Sequence, residues 1–323
     1  MTTDIDQGRR DRLKGYALAA IAAFCWATGG MTAKWLFTPL TAATARWPLP
    51  PLGLTIDPID LAAARALAAA VLILVYLCLF DRRSLRVQVR DVPFLSVFGV
   101  FGLAAVHFTY FKTLSLTGVA TAILLEYLAP IAVLVFSVLF LGERLSWRLP
   151  VAVALSVGGC GLMVGVLGGG VRVSGAGIGW GLASAAFFAF YTLLGKYAAG
   201  RYAPWTLLAY GLVAATLFWL VYLGPARVLA VYRDPRTAAV VVFVAIVSTI
   251  IPFGAFLHGL HYIQATEASI TSTLEPAIAG IGAYFAFGET LGPVQLMGGA
   301  LVLGAILLVQ FSGAQKEPLP PAT

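Results

Sequence analysis

The sequence predicts an all-α integral membrane protein, with ten transmembrane helices arranged as two inverted five-helix repeats. Three observations carry that reading. First, the 323 residues are 60% hydrophobic and only 11% charged, with a mean hydropathy of +0.91. A soluble domain sits near 45–50% apolar with about 25% charged, so this chain uses lipid as its solvent. Second, a spanning helix needs about 20 mostly apolar residues, and ten such segments follow one another through the chain. Third, the second half of the chain repeats the first at a fixed offset.

The ten segments are 15–37, 59–80, 93–114, 118–140, 148–168, 177–199, 204–224, 237–260, 266–287 and 293–312. They use most of the chain and leave no soluble catalytic domain. They are too long and too evenly apolar for the short alternating strands of a membrane β-barrel. Helices also satisfy every backbone group within one segment, as lipid requires. The opening stretch 1–14, "MTTDIDQGRRDRLK", is polar and mixed in charge. It lacks the apolar core and small-residue cleavage site of a signal peptide, so the first helix is expected to remain as a span.

The net charge is +7. In this context it reads as the positive-inside bias of loops, not as a nucleic-acid surface. With the N-terminus inside, one side holds Arg9, Arg10, Arg12, Lys14, Arg82, Arg83, Arg86, Arg90, Arg144, Arg148, Arg201 and Lys316. The other side holds Arg46, Arg172, Arg227, Arg233 and Arg236. Both termini, including the tail 313–323, are therefore expected in the cytoplasm, although the loop 225–236 runs against the bias. Cys25, Cys78 and Cys160 are isolated within spans. Their spacing fits neither a metal site nor a disulfide framework, and small apolar fillers is the simpler reading. No metal and no cofactor are expected.

The repeat is plain once the fourth and ninth segments are aligned. Pro130 matches Pro276, Gly142-Glu143 matches Gly288-Glu289 and Leu145 matches Leu291, each at an offset of 146. The same offset pairs Pro58 with Pro204, Arg90 with Arg236 and Gly158 with Gly304. The first helices align instead with Lys34 on Lys196, an offset of 162. The difference is an insertion within 38–57, a proline-rich loop expected on the outside. Five spans per half is an odd number, so the second repeat (177–312) is inverted relative to the first (15–168). Inverted repeats are common in secondary transporters, whose substrate site lies near the midplane between the halves.

These residues resemble a known family. The doubled "GERL" and "GETL" after proline-bearing helices, "LAAARALAAAVLIL" at Leu61–Leu74 and "AAFCWATGGMTAK" in the first helix are similar to the EamA-type drug/metabolite transporters. The resemblance spans 15–312. It implies ten helices in two inverted bundles and movement of small organic solutes such as amino acids, amines or related metabolites across the cell (inner) membrane, with export the expected direction. The inserted 38–57 loop departs from the family pattern, as does Ala129-Pro130 where the second repeat has Glu275-Pro276.

Candidate site residues follow from charge placed in lipid. Glu126 lies inside an apolar run, where a carboxylate costs about 2.5–3.5 kcal/mol on insertion scales. Three readings are open: a proton-coupling or substrate-ammonium site, a structural partner of a buried base, or a hydrated group near the interface. Pro130 cannot donate to the carbonyl of Glu126, nor Pro276 to that of Ser272, so both helices are expected to kink and present polar backbone. Pro252 is a third hinge candidate. Residues four apart share a helix face, which puts Glu126, Pro130, Val133 and Ser137 on one stripe.

Arg65 is the candidate for an anionic substrate group or for pairing with Glu126. Lys34, Lys112 and Lys196 read more simply as helix-end lysines snorkelling to the headgroups. Histidine as a residue type titrates near neutrality, so His107, His258 and His261 keep proton coupling open; a hydrogen-bonded packing histidine is the commoner reading, with His258 retained as a candidate. Trp26 is mid-span, where tryptophan is unusual, and with Tyr110, Tyr127 and Tyr191 it is a candidate for an aromatic wall. Ordinary packing is the alternative for most of these rings. Trp35, Trp147, Trp180 and Trp205 fall near span ends like an interfacial belt.

Glu275 is the second deep carboxylate, with a structural role as well supported as a substrate role. Glu143 and Glu289 follow helix-ending glycines and read as structural. The small residues of Gly158–Gly170 and Gly298–Ala305 allow close helix approach, as packing supports or as a homodimer face. No G-x-x-x-x-G-K-[ST] loop is present, so ATP is not the driver. Proton coupling and facilitated diffusion both remain open. The rival classes are a channel or scaffold, and a membrane-embedded lipid enzyme; the latter needs clustered carboxylates, and the 14 acidic residues are scattered.

Overall fold

The computed structural model describes residues 2–54, 56–117, 119–165 and 175–312. The expected end of the fifth segment, Arg172, Lys316 and the tail 313–323 lie outside the described residues. Among those described there are helices and turns and no strand.

The first half opens with α1 (Thr2–Phe37), a single 36-residue helix. After the inserted loop, α2 (Pro58–Phe80) starts at Asp57, whose carboxylate accepts from Ile59 N at 2.8 Å. Pro58 sits in the first turn, where its missing N–H is harmless. The third segment comprises α3 (Val92–Val97), a π-helical stretch Phe98–Ala104 and α4 (Ala105–Thr117). The fourth comprises α5 (Val119–Glu126) and α6 (Ala129–Phe140), and the fifth is α7 (Arg148–Met163).

The second half runs α8 (Gly175–Ala198), α9 (Pro204–Leu223), the short α10 (Pro225–Ala230), then α11 (Pro235–Ala245). A second π-helical stretch, Ile246–Ile250, leads into α12 (Ile251–Gly259). The chain ends with α13 (Ala265–Ser272), α14 (Leu274–Phe287) and α15 (Pro293–Ser312).

The irregularities recur at the 146-residue offset. The fourth segment breaks at 127–128 and the ninth at Thr273. The π-helical stretches 98–104 and 246–250 both interrupt helices that lead toward the molecular centre. Proline accounts for the first pair of breaks, because Pro130 and Pro276 each remove one helical hydrogen bond. Gly142 and Gly288, with φ of 67° and 70°, end the helices that follow; a side chain at either would be strained.

Among the described residues eight helices are long and apolar enough to cross a membrane, and Arg148–Met163 is a shorter apolar helix. The ninth expected segment is not among the eight; its first half carries Glu267, Ser269, Thr271, Ser272, Thr273 and Glu275, which lower its hydropathy. The polypeptide is thus a multi-pass membrane protein.

Helix α1 packs against α12 and α14, α8 packs against α4, and α9 packs against the first π-helical stretch. The glycine-rich α7 and α15 lie against each other. A Cβ placed on Gly159 would come within 2.7 Å of the Gly298 carbonyl, so the small residues are used for contact between these two helices. The inserted loop folds over the junction of α1 and α14. Trp35 Nε1 donates to the Pro50 carbonyl at 2.6 Å, Leu49 N donates to the Ala286 carbonyl at 2.9 Å, and Trp47 meets Phe287 at 5.1 Å between ring centroids.

Arg12 and Lys34 mark opposite ends of α1, about 33 Å apart at 1.5 Å per residue. The Arg12 end is tightly tied. Arg12 pairs with Glu267 at 2.9 Å, and Lys14 Nζ donates to the Tyr262 hydroxyl at 2.8 Å. Lys196 Nζ donates to the carbonyls of Leu260 at 2.6 Å and Ile263 at 2.7 Å. Glu143 accepts from Ala265 N at 2.8 Å and Thr266 Oγ1 at 2.7 Å, at the start of α13. At the other end Lys34 forms an ion pair with Glu289. The snorkelling expected of Lys34 and Lys196 is therefore replaced by contacts within the protein. Each ammonium finds an acceptor on a neighbouring helix, which sequence spacing does not reveal.

A central cavity

A cavity of about 140 Å³ opens between α1, α2, α4, α5, α8, α12 and α14. Along α1 its wall runs from Trp26 through Gly29, Gly30 and Ala33 to Lys34. No lining residue of α1 lies nearer to the Arg12 end than Trp26, so the cavity extends toward the Lys34 end. Gly30 belongs to this wall, and a Cβ there would meet nothing within 4 Å.

Six of the eight candidate binding residues line the cavity: Trp26, Arg65, Tyr110, Glu126, Tyr127 and Glu275. They come from α1, α2, α4, α5, the break at 127–128 and α14, and nothing local in the sequence links them. The other two candidates lie outside the lining. Tyr191 is fully buried, and its hydroxyl donates to the Phe253 carbonyl at 3.3 Å. His258 bonds through Nδ1 to the Gly254 carbonyl at 2.7 Å and rests against Trp205.

The Tyr127 hydroxyl lies at the two helix breaks. It donates to Glu275 Oε2 at 2.6 Å and lies 3.2 Å from the Ser272 carbonyl, the group that Pro276 leaves without a helical donor. The carbonyl left by the proline of one half thus lies against a tyrosine of the other, whose single hydroxyl hydrogen is shared between it and Glu275. Satisfying such a carbonyl from a neighbouring helix is how membrane helices tolerate proline.

Trp26 forms the apolar floor. Its ring meets Phe253 at 5.3 Å, Phe256 at 5.5 Å and Phe188 at 5.9 Å. The edge-to-face contacts with Phe188 and Phe253 suit the ring quadrupoles. Its indole N–H is buried and has no hydrogen-bond partner, and the Ser248 hydroxyl and Arg65 Nε are likewise unpartnered. Arg65 rests with its guanidinium carbon 5.6 Å from the centre of the Phe111 ring. Neither Arg65 nor Glu126 has an ion-pair partner among the described residues, so the pairing considered for these two is not formed.

Further lining residues were not among the candidates, His107 having been read as a packing histidine. His107 packs edge-on to Phe253 at 5.5 Å, and both line the cavity. Ser248, in the second π-helical stretch, lines it as well. The signal available for this side of the cavity was the adjacent pair Gly29-Gly30 in mid-helix, since a wall without side chains leaves room. Among the described residues no group of three or more His, Cys, Asp or Glu is placed to hold a metal ion.

A multi-pass helical protein with a partly charged cavity, open toward one end, at the meeting point of its helices has the form of a membrane carrier. The EamA-like transporter family model matches twice, over residues 51–165 and 175–311. The chain belongs to this family. An uncharacterized transporter of Archaeoglobus fulgidus is 32% identical over 65% of this chain and 75% of its own length. The threonine/homoserine exporter RhtA of Escherichia coli is 26% identical over 78% of this chain and 84% of its own. A crystal structure that is 19% identical superposes with a TM-score of 0.73, covering 92% of this chain and 96% of the other. At that identity the likeness concerns the fold.

Proposed function

We propose that the protein is a secondary exporter of a small organic solute, an amino acid, amine or related metabolite, working by alternating access. In this reading the ten helical segments form two inverted five-helix repeats, 15–168 and 177–312. Both termini are cytoplasmic and the 38–57 loop is external. The central cavity is the substrate site, and Pro130, Pro252 and Pro276 mark the hinges.

One observation carries the reading. The cavity is built jointly by helices of both halves and reaches only the Lys34 end, while the Arg12 end is tied by Arg12–Glu267 and the lysine contacts. A site accessible from one side, with a bonded closure on the other, is what a carrier presents in one of its two states. The same closure favours a carrier over an open channel. With the termini inside, this is the outward-facing state.

The test is reconstitution in liposomes with a pooled panel of amino acids, amines, carboxylates and nucleobases, read by mass spectrometry with and without an imposed pH gradient. Saturable movement of one class supports the reading, and its response to the gradient separates proton-linked transport from facilitated diffusion. Movement equal to that of empty liposomes across the panel counts against it.

A further inference from the structure

Two matched lysine–glutamate pairs stand at the two ends of the molecule, and they are bonded differently. Lys34 corresponds to Lys196 at the offset of 162, and Glu289 to Glu143 at 146. Their local settings are alike. Each lysine lies in the last turn of its helix, α1 or α8. Each glutamate follows a glycine of positive φ, Gly288 or Gly142. Each glutamate N–H returns to a carbonyl of the preceding helix, Glu143 to Ser137 at 3.1 Å and Glu289 to Ala283 at 3.4 Å.

The side-chain partners are not alike. Lys34 and Glu289 form an exposed ion pair with each other. Lys196 instead donates to the carbonyls of Leu260 and Ile263, and Glu143 is buried at the first turn of α13, bonded to Ala265 N and Thr266 Oγ1. Since the backbone around each glutamate is the same, the difference comes from how the helices around it pack.

The two ends differ in packing as open differs from closed. A Cβ on Gly195 would lie 3.0 Å from Leu260 Cδ1, so α8 touches the end of α12 there. The counterparts of these two residues are Ala33 and Leu114, and both line the cavity. By the same offset, the carbonyls that correspond to those of Leu260 and Ile263 belong to Leu114 and Thr117, in the last turn of α4. The carbonyl end of a helix attracts a cation. Val119, the first residue of α5, corresponds to Ala265, the first of α13.

Given the transport reading above, we propose that the two pairs exchange partners when the protein changes state. Closing the outer end carries Lys34 from Glu289 to the carbonyls of Leu114 and Thr117, and Glu289 to the backbone N–H of Val119. Opening the inner end frees Lys196 and Glu143 from their present partners and leaves them as an exposed ion pair. Each half then has the bonding that the other half has now. One ion pair and one set of buried bonds exist in either state, so neither charge is stranded and the two states stay close in free energy. Thr266 is matched by Ala120, so the outer set has one bond fewer and the present state is the favoured one.

The experiment uses the full-length protein in nanodiscs with Cys25, Cys78 and Cys160 replaced by alanine. Ala33→Cys and Leu114→Cys are then introduced, a pair whose counterparts touch at the closed end, and both gate lysines stay in place. The rate of disulfide formation between them, read by mass spectrometry of the linked peptides, reports closure of the outer end. Slow formation is expected with both lysines intact. Lys196→Met removes bonds made only in the present state, and is expected to speed formation roughly tenfold to a hundredfold, the scale of a charge-assisted contact. Lys196→Arg, which keeps a donor, is expected to restore the slower rate. Lys34→Met is expected to slow formation about tenfold or more, because its present ion pair is exposed and weak while the bonds it makes on closure are buried.

A disulfide that forms in none of these proteins overturns the proposal. So does an unchanged rate in Lys34→Met, or a change of the same sign in the two methionine variants. The Lys34 arm needs no Lys196 variant to fold. The liposome panel separates this proposal from the transport reading. Solute movement with a disulfide rate indifferent to both lysines removes the exchange and keeps the transporter. Opposite responses of the two lysines, without movement of any solute, keep the exchange and remove the transport reading.

Discussion

The Tyr127 hydroxyl donates a 2.6 Å hydrogen bond to Glu275 across the centre of the molecule, joining the broken helix of one half to the broken helix of the other. Removing the donor leaves a carboxylate in the cavity wall without it. Tyr127→Phe preserves the ring packing and is expected to destabilise the fold by about 1–3 kcal/mol, the usual penalty of an unmet buried polar group. Thermal unfolding in detergent measures it. In the cycle with Glu275→Gln the double variant is expected to lose less than the sum of the single losses, because the partners are in contact.

Gly159 and Gly298 set the distance between α7 and α15. A Cβ on Gly159 would also lie 2.9 Å from Val302 Cγ2, and one on Gly298 would lie 2.6 Å from the Gly159 carbonyl. The obstacle is backbone, which cannot rotate away. Gly159→Ala is expected to destabilise the fold by roughly 1–3 kcal/mol, as overpacking does elsewhere. Gly158→Ala, where a Cβ meets nothing within 4 Å, is the control expected to change little. Melting temperatures of the pair decide the point.

The Lys34–Glu289 ion pair is exposed, with 34% and 48% of the two side chains accessible. Exposed pairs contribute roughly 0–1 kcal/mol. Glu289→Gln is therefore expected to leave the melting temperature almost unchanged. A large loss would mean that the inserted loop, which folds over the same junction, depends on this pair.

Glu143 lies beyond the end of its span and is buried against α13. Burial pushes its carboxyl above the ordinary value, partly offset by the hydrogen bonds from Thr266 and from Ala265 N. A carboxyl whose folded value is raised binds more protons in the folded state than in the unfolded one. Its contribution is then fully present below the unfolded value of 4.5 and is lost as pH rises through the folded value. Glu143→Gln removes the titration. The unaltered protein is accordingly expected to gain stability relative to this variant as pH falls toward 4.5, read from melting curves of both across that range.

The candidate site was only partly legible. Arg65, Glu126 and Glu275 stood out because charge in an apolar run is costly, and Trp26 because tryptophan prefers the interface. Tyr191 and His258 were singled out on the same grounds of type and depth, yet they face packing partners and not the cavity. Depth along a helix can be counted from the sequence, but which way a side chain faces depends on neighbours that are distant in the chain. His107 was weighed and set aside as a packing histidine, and Ser248 was missed, for the same reason, since a histidine or serine in a span carries no mark of its direction.

By itself the sequence determined that this is a helical membrane protein, where most of its spans lie, where two of them break and that its features recur at a fixed offset. Those properties are local: hydropathy belongs to a segment, and proline breaks the helix in which it sits. The tertiary structure alone decided that Arg65 and Glu126 share a cavity without forming an ion pair, that Tyr127 lies against the carbonyl freed by Pro276, and that Lys34 and Lys196 find acceptors on neighbouring segments. Each of these joins residues on different helices, and the distance between them is set by how the helices pack, which no pattern along the chain records.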